Sequence, residues 1–328
     1  MRVLSGIQPS GVVHLGNYLG AIRQHIELQN QADQAFYSIV DLHAITTPQE
    51  PKDLHQRTLS IAALYLALGL NPEKASLFVQ SHRPEHTELT WILTTIANLG
   101  ELERMTQFKE KGRSDERNQV PMGLLSYPLL MAADILIYKA DRVPVGDDQV
   151  QHLELTRDLA KRFNSRFGET FPIPEPVLPK NGARIMGLDD PTKKMSKSAT
   201  SENNYIALTD DPDTVTKKIK KAVTDSGSEI ELSDDKPALK NLLTIFSGVT
   251  NNSMGEIVTE HQGQGYADFK ANLAEAINEF LAPVQAKYNQ LISDENHLLS
   301  ILKQGSEQVA PIAQATLKEV KEKIGFIV

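Results

Sequence analysis

Over residues 1–190, apolar runs of strand length alternate with helical patterns. The runs at 2–7, 35–40 and 75–79 have the length and composition of buried strands, and helical stretches separate them. Such an alternation predicts a parallel sheet with helices on both faces, and ligands of these sheets bind beyond the carboxyl ends of the strands. We therefore predict an α/β fold with a Rossmann-like parallel sheet.

After residue 200 the alternation stops and the pattern is mainly helical. We predict two domains, 1–195 and 196–328, and the second holds helices at 211–223, 236–248, 253–262, 266–292 and 306–323. The last of these helices is a candidate to pack back on the first domain. Within the first domain, residues 101–140 interrupt the alternation and are interpreted as an insertion, and the four prolines of 171–179 predict irregular structure.

The chain has 328 residues, no cysteine and a net charge of −8. It therefore has no disulfide and no cysteine-ligated metal, which is typical of a reducing compartment. No signal-peptide pattern precedes the first strand and no apolar run reaches membrane-spanning length, so we expect a cytoplasmic protein that does not use a membrane. The negative charge argues against binding nucleic acid by bulk charge, whereas local basic patches are compatible with such binding.

The stretch from Ser5 to Gly20 predicts a strand, a tight turn and the start of a helix. The turn at Gln8–Gly11 and the helix start point backbone N–H groups at one place, which suits a phosphate. His14 and Asn17 can add side-chain donors there. Because the stretch lacks the spacing of a P-loop or of the dinucleotide-binding glycine motif, a simple packing loop is the alternative.

A lysine-rich loop spans Asp189–Ser198 and contains Lys193, Lys194 and Lys197. Ammonium groups on a loop can neutralise charge that develops on a polyphosphate leaving group, and the alternative is a solvated basic linker. A second lysine cluster, between Lys217 and Lys221, is interpreted as a solvated helix face. A nucleic-acid contact is the alternative for that cluster.

Asp134 is the one charged residue in the apolar helix predicted at 122–138. A buried carboxylate is costly unless it is hydrogen-bonded, so Asp134 needs a donor. That donor is either another group of the protein, or an N–H or O–H of a flat ligand in an apolar pocket. The spacing of His82 and His86 around a proline does not predict a metal site, and Trp91 is interpreted as a core residue.

The segment Val143–Gln149 runs from the end of a strand into a helix. Asp148 and Gln151 can form a capping pair at that helix start. Alternatively, Gly146 and the polar residues after it can bind a ribose or an ammonium group. The residues alone leave both interpretations open.

The five residues Lys194-Met195-Ser196-Lys197-Ser198 match the lysine-loop signature of class I aminoacyl-tRNA synthetases. His14-Leu15-Gly16-Asn17 resembles the other signature of that class, His-Ile-Gly-His, with Asn17 in the final position. Within the class, the chain resembles the tryptophanyl-tRNA synthetases of the bacterial type. The segments that carry this resemblance are Gly6–Gly11, Gly100–Lys109, Leu129–Leu136, Val143–Gln149 and Pro191–Ser198.

The resemblance implies an enzyme that activates L-tryptophan with ATP to tryptophanyl-adenylate and transfers it to tRNA(Trp). It implies that Mg²⁺ is carried by ATP and that the protein has no metal site of its own. It also implies a symmetric homodimer with its interface in the 101–140 region, and a helical domain that reads the anticodon. The tryptophan carboxylate would attack the α-phosphorus directly, without a covalent enzyme intermediate.

The same resemblance assigns roles to individual residues. The catalytic residues that it implies are Gln8, His14, Asn17, Lys194, Ser196 and Lys197. ATP is expected to contact Gln8, Pro9, Ser10, Gly16, Asn17, Gly146, Asp147, Asp148, Ile185, Lys194, Met195, Ser196, Lys197 and Ser198. Tryptophan is expected to contact His43, Tyr127, Met131, Asp134, Val143, Val145 and Gln149.

The choice of tryptophan over tyrosine depends on few positions. The related tyrosyl enzymes carry Gln where this chain has Met131, whose polarisable thioether suits the face of an indole. Asp134 is then expected to accept the indole N–H. Three rival hypotheses are a tyrosine-specific enzyme, a non-enzymatic binding module of the same descent, and an unrelated nucleotidyltransferase that never meets RNA.

Overall fold

The structure is a computed structural model. It describes residues 1–9, 11–111, 121–146, 149–178, 184–196 and 201–328. The chain divides into two compact units, each assembled from separate segments. Unit 1 comprises Met1–Ser10, His25–Pro179 and Leu291–Val328, and unit 2 comprises Gly11–Gln24 and Lys180–Gln290.

Unit 1 is built on a five-stranded parallel sheet, which confirms the predicted α/β fold. Its strands are β1 (Arg2–Ile7), β2 (Gln34–Ile39), β3 (Ala75–Val79), β4 (Arg142–Pro144) and β5 (Glu175–Val177). Their order across the sheet is β3-β2-β1-β4-β5, and every neighbouring pair is parallel. All five residues of β3 are buried, as expected for a strand covered by helices.

The prediction of irregular structure over 171–179 is wrong for three residues, because β5 lies there. Pro176 sits inside β5, opposite Val143 of β4. Among the described strands, β5 lies at the edge of the sheet and pairs with β4 alone, so a proline whose missing N–H faces the open side removes no ladder bond. The Glu175 N–H, which comes just before the proline, donates to the carbonyl of Asp141 at 3.0 Å.

Helices make up most of the remaining chain. They are α1 (Leu15–Asn17), α2 (Arg23–Leu28), α3 (Asp41–Ala44), α4 (Pro51–Ala67), α5 (Glu85–Thr94), α6 (Leu99–Glu103), α7 (Thr106–Lys111), α8 (Met122–Ile137), α9 (Val150–Phe167), α10 (Pro212–Lys221), α11 (Pro237–Thr250), α12 (Met254–Glu260), α13 (Tyr266–Ser293) and α14 (Glu295–Ile324). A π-helical turn, Tyr18–Ile22, joins α1 to α2. Within the described ranges, no helix is long and apolar enough to cross a membrane.

The last helix, α14, packs directly on β3. A Cβ atom added to Gly305 would lie 2.0 Å from the carbonyl oxygen of Leu77, so the two backbones are in contact there. The Ser76 hydroxyl donates to Gln308 Oε1 at 2.9 Å beside this contact. The helix begins eleven residues before the predicted 306 because the side chain of Asp294 accepts the His297 N–H and caps it.

Unit 2 contains the segment 11–24, although this segment lies inside the predicted first domain, 1–195. Backbone pairing explains the difference. The Leu15 N–H donates to the carbonyl of Ile206 at 2.9 Å, and the Leu208 N–H donates to the carbonyl of Val13 at 3.0 Å. A boundary drawn along the sequence misses this pairing because its two partners are far apart in the chain.

Trp91 is not a core residue. Its side chain is 69% exposed, whereas Leu89, Ile92 and Leu93 on the same helix are buried. Successive helical residues point about 100° apart, so a run of apolar residues cannot all face the core. The interpretation of Trp91 as a core residue is therefore wrong.

Candidate active site

Several of the predicted site residues follow directly after strands of unit 1. Gln8 and Pro9 follow β1, His43 lies in the short helix after β2, and Gly146 comes two residues after β4. Gln8 and Gly146 are exposed, and Pro9 is buried. These positions form the carboxyl edge of the sheet, where such folds bind ligands. Ser10, Asp147 and Asp148 lie outside the described residues.

Asp134 is buried and lies at the centre of a hydrogen-bonded cluster in unit 1. His86 Nδ1 lies 2.6 Å from Asp134 Oδ1, and His43 Nε2 lies 2.9 Å from Asp134 Oδ2. The Gln80 amide donates to both oxygens, at 2.7 and 2.9 Å. Gln80 is itself fixed, because its Oε1 accepts the Leu42 N–H at 3.1 Å.

The donors of this cluster are assigned by the carboxylate, which can only accept hydrogen bonds when ionised. His86 therefore carries its proton on Nδ1, and in the neutral ring Nε2 accepts the Tyr138 hydroxyl at 2.8 Å. Burial alone would raise the pKa of Asp134, but the hydrogen bonds from His43 and His86 outweigh it and hold that pKa below its usual range. Asp134 is thus an ionised acceptor in an apolar helix.

The lone pairs of Asp134 are fully engaged by protein donors. A carboxylate offers about four acceptor positions, and Gln80, His43 and His86 occupy them with four hydrogen bonds. Gln80 and His86 are fully buried, whereas the His43 side chain is 13% exposed. An incoming N–H donor therefore has to share or replace the bond from His43, which is the most accessible of the three.

Tyr127 lies beside His43, with the two rings 6.2 Å apart. Its hydroxyl donates to Gln107 Oε1 at 3.0 Å and lies 2.6 Å from His152 Nε2. Met131, Val143 and Val145 belong to one apolar cluster of unit 1, together with Leu4. Gln149 is half-buried at the start of α9. The structure thus links His43, Tyr127 and Asp134 by direct contacts, and gives the three apolar residues a common core.

The neighbouring Gln151 does not present a free side chain for a cap. Its Oε1 accepts the Thr106 N–H at 3.0 Å, and its amide donates to the carbonyl of Arg104 at 3.3 Å. These bonds tie the start of α9 to the start of α7. The suggested partner Asp148 lies outside the described residues, so the alternative of a capping pair stays a prediction.

His14 and Asn17 form a reciprocal cap at the start of α1 in unit 2. The His14 N–H donates to Asn17 Oδ1 at 3.0 Å, and the Asn17 N–H donates to His14 Nδ1 at 3.3 Å. Because Nδ1 accepts a hydrogen bond, the proton of the neutral His14 ring lies on Nε2. The cap therefore fixes His14 in the tautomer that offers Nε2–H as a donor.

The two sequence signatures meet at Gly16 and Met195. A Cβ atom on Gly16 would lie 3.2 Å from the sulfur of Met195 and 3.0 Å from His14 Nδ1, so glycine permits this close packing and a larger residue would have to displace these side chains. Met195 is buried, and its N–H donates to the carbonyl of Ile185 at 2.9 Å. The adjacent Lys194 is exposed. The signatures are far apart in sequence and form one cluster in unit 2.

The lysine loop is anchored by asparagine side chains. Asn204 Oδ1 accepts the Ser196 N–H at 2.9 Å, and Asn241 bonds both backbone groups of Met186 at 2.8 and 3.0 Å. Lys193 pairs with Asp190 at 3.0 Å. These bonds hold the stretch up to Ser196. Lys197 and Ser198 lie outside the described residues.

A family model described as tRNA synthetases class I (W and Y) matches residues 1–282. The chain belongs to this class I tRNA synthetase family. A tryptophan–tRNA ligase from Caldanaerobacter subterraneus is 55% identical over 327 residues, covering 99% of this chain and 98% of the relative.

Solved structures agree with this membership. The tryptophanyl-tRNA synthetase of Mycoplasma pneumoniae superposes with a TM-score of 0.88 at 41% identity, covering 99% of this chain and 98% of the other. A tryptophanyl-tRNA synthetase of Campylobacter jejuni, complexed with ADP and tryptophan, gives a TM-score of 0.86 at 37% identity, covering 99% of this chain and 100% of the other.

Several residues of this class I tRNA synthetase escape prediction from sequence. Gln80 and His86 bind Asp134. Tyr138 contacts His86, and His152 contacts Tyr127. Asn204 anchors the lysine loop. Gln80 had a usable signal, since it is the first polar residue after the apolar strand β3. From sequence, His86 is considered only as a metal ligand together with His82, and its role is not visible there because its partner Asp134 lies on another helix.

Lys218 corrects the interpretation of the second lysine cluster. Lys217, Lys220 and Lys221 are exposed, as a solvated face requires. Lys218 is buried, and its Nζ lies 2.7 Å from Asp210 Oδ2. The position of Lys218 on α10 places it on the inner face of the helix.

Among the described residues of this synthetase, no group of three or more His, Asp or Glu side chains is arranged to hold a metal ion.

Proposed function

We propose that this chain is a tryptophan–tRNA ligase, which activates L-tryptophan with ATP and transfers it to tRNA(Trp). The observation that carries the amino-acid choice is Asp134, a buried carboxylate held ionised by His43, His86 and Gln80. An ionised acceptor in an apolar helix matches an aromatic ring that bears one N–H. The relatives named as tryptophan–tRNA ligases support the same choice.

In this proposal, the indole N–H donates to Asp134 Oδ2 and takes over the bond that His43 makes there. Met131, Val143 and Val145 contact the ring, while Tyr127 and Gln149 face the ammonium group. A side chain without an N–H or O–H forms no hydrogen bond with Asp134, so phenylalanine is disfavoured relative to tryptophan. Tyrosine has a donor, but its hydroxyl lies at the far end of a shorter ring system.

ATP is proposed to bind with its phosphates at the His14–Asn17 cap. His14 Nε2–H, which the cap with Asn17 directs, is the donor, and Lys194 and Lys197 neutralise the charge that develops on the leaving pyrophosphate. Mg²⁺ is carried by ATP. The remaining proposed ATP contacts are Gln8, Pro9, Ser10, Gly16, Gly146, Asp147, Asp148, Ile185, Met195, Ser196 and Ser198.

The proposed reaction has two steps. A carboxylate oxygen of tryptophan attacks the α-phosphorus of ATP, a new O–P bond forms, and the bond to pyrophosphate breaks. The hydroxyl of the terminal ribose of the tRNA then attacks the activated carbonyl, and AMP leaves. The protein contributes position and charge, since neither step requires a covalent bond to it.

Exposed apolar side chains of unit 1 support the proposed homodimer. Trp91, Leu99 and Met122 are 69%, 61% and 71% exposed, and Ile45 is also exposed. Large apolar side chains in water are typical of a protein–protein interface when they form a patch. We place the interface at α5, α6 and the start of α8, which overlaps the predicted region 101–140.

The proposed tRNA contacts are in the helical part of unit 2, where Lys217, Lys220 and Lys221 are exposed on α10. Such a local basic face binds phosphate even though the whole chain carries a charge of −8. We infer that the enzyme works in the cytoplasm, where aminoacylation serves translation.

ATP–pyrophosphate exchange tests this proposal. We expect exchange with L-tryptophan and far slower exchange with L-tyrosine, followed by charging of tRNA(Trp). Exchange driven by tyrosine would instead identify the tyrosine-specific enzyme. Absence of exchange would favour the binding module, and exchange without tRNA charging would favour the unrelated nucleotidyltransferase.

A further inference from the structure

Lys218 is an unusual lysine, because it is buried and is held on two sides within unit 2. Its Nζ lies 2.7 Å from Asp210 Oδ2 and 4.8 Å from the ring centroid of Tyr205. A desolvated ammonium over an aromatic face attracts the ring through its quadrupole. Lys218 therefore fixes the position of the Tyr205 ring.

Tyr205 in turn packs on His14. The two ring centroids are 5.9 Å apart and the ring planes are inclined by 44°. Backbone pairing brings the two rings together, because Ala207 and His14 form an antiparallel bridge and the Leu15 N–H donates to the carbonyl of Ile206. The imidazole of His14 thus lies between its own cap and the Tyr205 ring.

The segment that follows Tyr205 is also held by hydrogen bonds. Asp210 Oδ2, which pairs with Lys218, accepts the Ala207 N–H at 2.9 Å. The Gln285 amide of α13 donates to the carbonyls of Leu208 and Asp210 at 2.9 and 2.8 Å. The segment that carries Tyr205 is consequently tied to two helices, α10 and α13.

We propose that Tyr205 and Lys218 are positioning residues that hold the His14 imidazole for ATP, so that α10 of the helical part supports the first signature. The inference rests on the proposed contact between His14 and ATP. The Asn17 N–H to His14 Nδ1 bond is long, at 3.3 Å. Contact with the Tyr205 ring restricts the tilt of the imidazole, and Lys218 keeps Tyr205 in place.

Exchange kinetics of single variants provide the first test. We expect Lys218→Met and Tyr205→Leu each to lower kcat/KM for ATP about tenfold while KM for tryptophan changes less than about twofold. Lys218→Arg, which keeps the cation, and Tyr205→Phe, which keeps the ring, should restore most of the loss. Lys240→Met is the matched control, because Lys240 also lies 2.7 Å from a carboxylate, Asp234, but that pair is exposed.

A double-mutant cycle with His14→Asn separates positioning from a general structural role. Asparagine is a good helix cap, so this variant removes the imidazole and keeps the start of α1. If Tyr205 acts through His14, Tyr205→Leu costs less than about twofold in the His14→Asn background. Circular-dichroism melting checks the fold of each variant. If Lys218→Met does not fold, the comparison of Tyr205→Leu with Tyr205→Phe provides the test.

The possible results are distinct. If Tyr205→Leu is fully additive with His14→Asn, or has no effect alone while His14→Asn lowers kcat/KM for ATP, the positioning role is wrong and the proposed function stands. If His14→Asn itself leaves kcat/KM for ATP unchanged, the proposed role of His14 fails and the positioning role fails with it. Loss of the Tyr205→Leu effect in the His14→Asn background supports both.

Discussion

His86 Nδ1 lies 2.6 Å from Asp134 Oδ1, with both side chains buried. The hydrogen bond from His86 helps to keep Asp134 ionised, so its carboxylate can accept a neutral N–H in place of the bond from His43. The Tyr138 hydroxyl on the other nitrogen of His86 fixes the ring in the required tautomer. The hydrogen bond between His86 and Asp134 therefore orients the buried carboxylate and helps to keep it ionised.

Asp134→Asn should lower kcat/KM for tryptophan by about 10- to 150-fold, because a hydrogen bond to a charged group contributes about 1.5–3 kcal/mol. KM for ATP should change little. ATP–pyrophosphate exchange with tryptophan and tyrosine measures both quantities. Tyr138→Phe is the graded comparison, since it loosens His86 without touching the carboxylate, and we expect a loss of about fivefold. Retained selectivity for tryptophan in Asp134→Asn would contradict the indole assignment.

The ion pair of Glu101 and Arg162 should make stability depend on acid pH. Hydrogen bonds from Arg162, opposed by burial and helped by Asn98, lower the pKa of Glu101 from 4.5 to about 2. The stabilisation is therefore complete above pH 4.5 and is lost as the pH falls towards about 2. Both side chains are partly exposed, so we expect the contribution to be about 1 kcal/mol.

Urea unfolding between pH 6 and pH 3 measures this dependence as a difference between wild type and Glu101→Gln. The difference in free energy of unfolding should shrink as the pH falls. Lys161→Gln is the control. Lys161 lies on α9 beside Arg162, but it only approaches Asp158 at 3.6 Å in an exposed pair. A difference that does not vary with pH would mean that the Glu101 carboxylate is not stabilised by its charge.

Gly305→Ala should destabilise unit 1 by about 3 kcal/mol, at the upper end of overpacking effects, because the new Cβ would lie 2.0 Å from the carbonyl oxygen of Leu77. Backbone atoms on both sides cannot give way as a flexible side chain does. Gly255→Ala in α12 is the matched control, since nothing lies within 4 Å of its Cβ position, and it should be neutral or slightly stabilising. Equal effects of the two substitutions on urea unfolding would exclude the tight contact of α14 with β3.

Trp91 provides an optical test of the dimer, because it is the one tryptophan in the chain. Its 69% exposure predicts red-shifted emission from the monomer and a blue shift as the protein concentration rises. Trp91→Ser should raise the dimer dissociation constant by about tenfold or more, as measured by sedimentation, since buried aromatic anchors dominate interfaces. Thr87→Ser, at an exposed position of the same helix, is the control. Emission independent of concentration, with a dimer intact in Trp91→Ser, would place the interface elsewhere.

Local periodicity predicts most of the sheet and of the helices. β1, β2, β3 and α8 are recognisable because each is a run of apolar residues bounded by turn formers. β5 is not, since its proline is tolerated only at an edge position that the sequence does not reveal. Trp91 shows the same limit, because apolarity alone does not distinguish a core face from an exposed one.

The residues of the site are also predictable only where a local sequence motif marks them. The motif residues His14, Gly16 and Met195 are recognisable from sequence, and the family resemblance also names His43, whereas the donors Gln80 and His86 are not recognisable. His43, Gln80 and His86 are 91, 54 and 48 residues away from Asp134 in sequence. Only the parallel order of the strands brings them to one carboxylate, so no local pattern could predict that arrangement.

The placement of α14 on β3 also sets the order in which the protein can be completed during synthesis. Unit 1 includes both Met1–Ser10 and Leu291–Val328, and α14, the helix that covers β3, is translated after the whole of unit 2. The buried strand β3 therefore stays without this cover while all of unit 2 is being made. A nascent chain that stops before Leu291 has all five strands and the whole of unit 2, but it lacks the helix that covers β3.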